Sequence, residues 1–141
     1  MRTVLALTIS ALLGVSALAG HDHVPSDMKV FSARDIAEKV DGKDAKATMY
    51  EVTIEPGEGS MPHRHPGPVF AYILDGEYEW AIKDQPARRL KAGDTFYEPA
   101  MCLHRVSRNP GKAVTRLLVV MLHPRDAEQL VIPERTNESH P

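Results

Sequence analysis

The spacing of apolar side chains divides this chain into stretches of different period. Val4 to Leu18 is almost wholly apolar behind a short basic start, Met1-Arg2-Thr3, and Ala17-Leu18-Ala19 sets small residues at alternate positions. This reads as a signal peptide over residues 1–19. The apolar run is short of the roughly 20 residues that a membrane-crossing helix needs, and the small residues suit a signal peptidase. His21 to Asp27 is polar and broken by Pro25. Ser32-Ala33-Arg34-Asp35 then has the form of a capping box, Ile36 and Val40 lie one turn apart, and Gly42 can stop a helix. A short helix over residues 33–41 is the expectation.

After Gly42 the period drops to two. Met49 to Ile54 alternates and ends in Glu55-Pro56-Gly57. Val69 to Leu74 is a compact apolar run closed by Asp75-Gly76, a dipeptide favoured in tight hairpins. Shorter strands are expected over 78–82, 88–90, 95–97 and 105–107, and Thr115 to Leu122 reads as a buried strand. Many short strands with glycine and proline between them predict an all-β sandwich or barrel. The tail from Pro133 is polar and expected to be disordered.

Composition narrows the functional classes. The chain has 141 residues, 43% of them hydrophobic, with 17 Lys+Arg against 19 Asp+Glu and a formal net charge of -2. No bulk positive field is available to hold nucleic acid, and none to hold an anionic bilayer once the signal peptide is gone. One cysteine cannot build a disulfide framework or a cysteine-rich zinc module. Seven histidines against that one cysteine are the imbalance to follow.

Two segments carry those histidines in a suggestive setting. Along an extended chain, residues i and i+2 share a face, so His63 and His65 can meet one ion while Arg64 points away. Pro66 and Pro68 stiffen the pair, although a solvated loop is the commonest setting of His-x-His taken alone. The second segment runs from Gly93 through Pro99 to His104, which opens a strand.

Together, Gly57-x5-His63-x-His65 with Gly76, and Gly93-x5-Pro99 with His104, resemble the two signature motifs of the cupin superfamily over roughly Glu51 to Leu122. The resemblance implies a cupin double-stranded β-helix (jelly-roll) barrel, here with one short N-terminal helix. The domain plan is then a signal peptide over 1–19, a linker and helix over 20–45, the barrel over 46–126 and a polar tail over 127–141. It also implies a metal site of His63, His65 and His104. The sequence departs from the motifs in three places: Val69 stands where the first motif has a glutamate (Phe70 at the one other spacing allowed), Met101 where the second has a glycine, and Asn109 lies one place late.

Without the glutamate, three neutral imidazoles leave a divalent ion at +2, a centre suited to anionic or chelating enolate-like ligands. Val69, with Ala71 and Ile73 on its face, should offer an apolar wall, and Val69→Glu should tighten metal retention. Fe, Zn, Cu, Mn and Ni all remain open as the divalent ion; loading outside the cytoplasm counts against Fe(II). For Glu98 an exposed turn carboxylate is expected, with a proton shuttle or a partner behind the ligands as alternatives. Met61 and Met101 are expected to fill core, Tyr72 and Trp80 to pack between sheets, and Cys102 to be a small buried side chain. His21, His23, His123 and His140 are read as uninvolved, and Asn137-Glu138-Ser139 as a glycosylation pattern relevant only in a eukaryotic secretory pathway.

The functional expectation is an exported protein, secreted or periplasmic, acting as a metal-dependent, dioxygenase-like oxidoreductase on a small organic molecule. A non-catalytic cupin that binds a small molecule or a metal is the alternative, and a metal-free structural barrel the third reading. The catalytic residues stay open. Pairing into a homodimer through sheet edges is implied by the resemblance alone.

Overall fold

The structure, a computed structural model, describes residues 27–134. Those residues form strands and turns without a helix. The strands, in chain order, are β1 (Asp27–Val40), β2 (Lys43–Ile54), β3 (Gly59–Ser60), β4 (His63–Arg64), β5 (Val69–Asp75) and β6 (Glu77–Ile82), then β7 (Arg88–Lys91), β8 (Thr95–Glu98), β9 (His104–Arg108), β10 (Thr115–Pro124) and β11 (Ile132–Pro133). They make two antiparallel sheets, one ordered β1-β2-β10-β5-β8 and the other β11-β4-β9-β6-β7, with β3 also on β9. The expected signal peptide, His21, His23, Asn137 and His140 lie outside the described residues.

The expected helix over 33–41 is absent, because residues 33–40 belong to β1 and Asp41 begins the turn that follows it. Its partner β2 runs back along it from Val40↔Lys43 to Asp27↔Thr53. The decisive signal is Asp41-Gly42, where both residues take positive φ (51° and 76°), the backbone of a two-residue hairpin turn rather than a helix stop. The Ser32/Asp35 spacing offers one cap, whereas the hairpin satisfies a whole ladder of backbone groups.

The period-two segments fold as the alternation dictates. Along β10, Thr115, Leu117, Val119, Met121 and His123 are buried while the residues between them are not. Opposite them, Tyr78, Trp80 and Leu90 from the other sheet join Val69, Ala71, Ile73 and Phe96 in one core between the sheets. Trp80 packs there as expected, but Tyr72 does not. It is on the outer face of β5, 44% exposed, because Val69, Ala71 and Ile73 take the inner one. Nor do Met61 and Met101 fill core, being 65% and 50% exposed.

Asp75-Gly76 closes no hairpin, since β5 and β6 lie in different sheets. Gly76 (φ 79°) turns the chain across the gap between them, against β10: a Cβ there would stand 2.6 Å from Thr115 Oγ1. At the motif's usual glycine position, Met101 itself adopts φ 56°. Asn109, one place late, is fully buried and ties loops together, donating to the carbonyls of Ile54 and Ala113.

Candidate metal centre

The two histidine segments meet because β4 pairs with β9, and the register sets His63 directly opposite His104. His65 follows two residues on, and the loop after β8 closes over it when the Met101 amide donates to the His65 carbonyl (2.8 Å). All three rings are buried, and ligand atoms from each lie within 4.8 Å of one another. The structure therefore brings together every ring assigned to the site from sequence.

Hydrogen bonds fix which nitrogen of two rings is free. His63 Nδ1 donates to the Met61 carbonyl (2.8 Å) and His65 Nδ1 to the Leu130 carbonyl (2.7 Å). A carbonyl can only accept, so each Nδ1 carries the proton and each Nε2 presents a lone pair. Those two Nε2 atoms stand 3.2 Å apart. Burial holds the pKa of all three rings below the usual imidazole range, His65 at about 4, so the rings stay neutral near pH 7. Two acceptors facing each other at that distance repel unless a cation lies between them. His104 Nδ1 adds a buried nitrogen that has no hydrogen-bond partner. This donor set fits a divalent transition metal, and His63, His65 and His104 could hold one.

Glu98 is the residue that reading the sequence misplaced. It is 1% exposed, not an exposed turn carboxylate. Its Oε1 accepts the Trp80 indole N–H (2.9 Å) and lies 3.0 Å from His104 Nδ1, while Oε2 lies 3.5 Å from His65 Nε2. Burial raises its pKa to about 7, with the Trp80 bond pulling the other way. The signal was available in the alternation of β8, where Phe96 and Glu98 face inward and Thr95 and Tyr97 outward. Tyr78, also buried, shares a hydrogen bond with Ser107 (2.7 Å), and its hydroxyl lies 3.4 Å from His104 Nε2.

The three histidines border a cavity of about 60 Å³. Its wall includes Tyr50, Val52, Ile54, Phe96, Leu117 and Val119, and none of the lining residues is a lysine or arginine. Val69 lines it as expected; Ala71 and Ile73 share its face but are buried in the core beyond the cavity.

Other expectations resolve simply. His123 stands apart from the site, bonded to Thr48 and to the Pro124 carbonyl, and Cys102 is buried. The segment assigned to the polar tail does return to the barrel as far as Glu134, where β11 pairs with β4. Arg64, between the two ligand candidates, turns outward as its spacing predicts and takes both carboxylate oxygens of Glu134 (2.8 and 2.9 Å).

A family model for the cupin domain matches residues 50–121, just over half of the chain. The chain is a cupin. Among curated proteins, none matches its sequence. Among solved structures, this cupin is similar to DMSP lyase DddQ from Ruegeria pomeroyi DSS-3, with 29% identity and a TM-score of 0.53, over 62% of this chain and 42% of that one. It is similar to an oxalate oxidase solved with the substrate analogue glycolate, with 25% identity and a TM-score of 0.53, over 77% of this chain and 56% of that one. A cupin with a double-stranded β-helix fold from Methanocaldococcus jannaschii matches at 21% identity and a TM-score of 0.50, over 53% of this chain and 68% of that one. The expected jelly-roll barrel is therefore the fold of this chain, without the N-terminal helix. The chain spans less than half the length of the lyase and little more than half that of the oxidase.

Proposed function

We propose that this cupin is a metal-dependent enzyme acting on a small organic molecule in its barrel cavity, with His63, His65 and His104 holding a divalent transition-metal ion. The observation that carries this is the pair of Nε2 lone pairs 3.2 Å apart at the wall of a cavity. A bound ion would supply a Lewis acid there and a template for a chelating substrate. The chain supplies neutral ligands, two of them oriented by backbone carbonyls, a largely apolar wall, and the hydroxyls of Ser60, Tyr78 and Ser107 as neutral polar groups beside the rings. A cavity of about 60 Å³ suits a molecule of few heavy atoms.

A dioxygenase-like oxidation, with O2 as co-substrate, is the finer form of this reading. It draws support from the resemblance to three-histidine oxygenases and from the likeness to oxalate oxidase. An O2-independent cleavage is the second reading, favoured by 29% identity to a DMSP lyase. Loading the protein in turn with Fe(II), Mn(II), Ni(II), Cu(II) and Zn(II), and following O2 uptake and substrate loss over small acids, diketones and thiols, separates the two. Substrate loss with O2 uptake supports the first, and anaerobic loss the second. Binding without turnover by fully loaded protein makes it a carrier or sensor. Export through residues 1–19 belongs to the same proposal, and N-terminal sequencing of the mature protein from periplasm or medium tests it.

A further inference from the structure

We infer that Glu98 is the fourth ligand of this centre, its carboxylate reaching from β8 the ion that a glutamate at position 69 would have reached from β5. The inference rests on the reading that the three histidines hold an ion. The register is the first ground. Val69 and Glu98 are direct cross-strand partners, and both face inward. Side chains so paired have Cβ atoms about 4.5–5.5 Å apart, within the reach of one glutamate side chain. The carboxylate absent from the first motif is therefore present in the barrel, on the neighbouring strand.

The second ground is what Glu98 lacks. Trp80 satisfies Oε1, but Oε2 is buried with no hydrogen-bond partner, a costly condition for a carboxylate oxygen. What Oε2 faces is His65 Nε2, another acceptor, at 3.5 Å. The separations around the cluster are 3.2 Å (His63 Nε2 to His65 Nε2), 3.5 Å (His65 Nε2 to Glu98 Oε2) and 3.0 Å (Glu98 Oε1 to His104 Nδ1), so both carboxylate oxygens face the rings. Donors sharing one ion at about 2.1 Å stand roughly 3.0 Å apart at right angles and roughly 3.4 Å apart in a tetrahedron. A role behind the ligands, orienting His104 through Nδ1, fits less well, since Nδ1 makes no hydrogen bond although Oε1 is 3.0 Å away. Two consequences follow. With a divalent ion bound, the centre would carry +1 rather than the +2 of three imidazoles, and open positions for substrate would remain only on an ion that takes more than four ligands.

The test is Mn(II) and Zn(II) binding to the full chain. Glu98→Gln, which keeps an oxygen for Trp80, should weaken both by about 100-fold or more, beyond the 10–100-fold usual for partners behind a ligand. Adding Val69→Glu to that variant should restore most of the loss by returning the carboxylate across the strand pair. Binding by Glu98→Gln within about 3-fold of wild type, or a loss that Val69→Glu does not restore, would overturn the inference. Should Glu98→Gln not fold, infrared difference spectra of the unmodified protein decide. Glu98 is the buried carboxylate among the described residues, so its stretching bands should shift on adding Zn(II), and unchanged bands would overturn the assignment. Wild-type protein that binds no ion would instead refute the three-histidine reading.

Discussion

The Nδ1–H of His65 ends on the carbonyl oxygen of Leu130, 2.7 Å away and 65 residues later in the chain. The bond selects the tautomer that leaves Nε2 free, so a segment that looks like a dispensable tail sets a ligand's chemistry. Ending the chain after Glu128 should leave the barrel folded but weaken metal binding by about 10–100-fold, the usual effect of removing such a partner. Metal titrations of the two chain lengths, with circular dichroism for the fold, check this.

Glu134 should act through the same segment at longer range. Arg64 holds its carboxylate in a two-pronged pair and also donates to the Met101 carbonyl (2.9 Å). Glu134→Ala should speed metal release by only a few-fold, because the pair is partly exposed and screened. Release rates into a chelator at low and high salt measure it, and the wild-type rate should approach the variant's as salt rises.

Removing the ion should cost stability. A ligand present at 100 times its Kd stabilises the folded state by about 2.7 kcal/mol. For a domain of this size that corresponds to a Tm change on the order of 10 °C. Thermal scans with and without chelator should show it, and His104→Ala should show a low Tm that added metal does not raise.

Val69→Glu alone separates the structural picture from the sequence one. Three histidines without a carboxylate should gain affinity from a new glutamate. With Glu98 opposite, the same change puts two carboxylates face to face in a buried site. Affinity should not rise, and the metal-free protein should lose about 1–3 kcal/mol of stability. Metal titration and urea unfolding give both numbers.

Tyr78→Phe isolates a hydroxyl beside the centre. It leaves Ser107 Oγ without its 2.7 Å partner in a buried position, so stability should drop by about 1–2 kcal/mol while metal affinity stays unchanged. Urea unfolding and metal titration read the two effects separately.

The three rings were assigned only through the resemblance to the cupin motifs, since neither His63-x-His65 nor His104 alone points to a shared site. The strands from β5 to β10 were legible because each depends on local alternation that the chain carries openly. β1 was not. Both of its faces are largely exposed, so it lacks the period-two signature, and a weak capping pattern at Ser32 stood in front of the Asp41-Gly42 turn. Glu98 was hidden differently: a charge beside Pro99 reads as a turn, and only the inward place of Phe96 two residues earlier shows that it faces the core. Leu130 carries no signal at all, since a backbone carbonyl contributes to the site whatever side chain it bears.

The cavity wall, with no lysine or arginine, bears on what the protein can select. The carboxylates in that wall are Glu58 and Glu98, which disfavour an anion anywhere but beside a cation. On the proposed reading, a guest with a formal negative charge would have one place to put it, the ion held by the three histidines, so that recognition and activation of such a guest would become a single event.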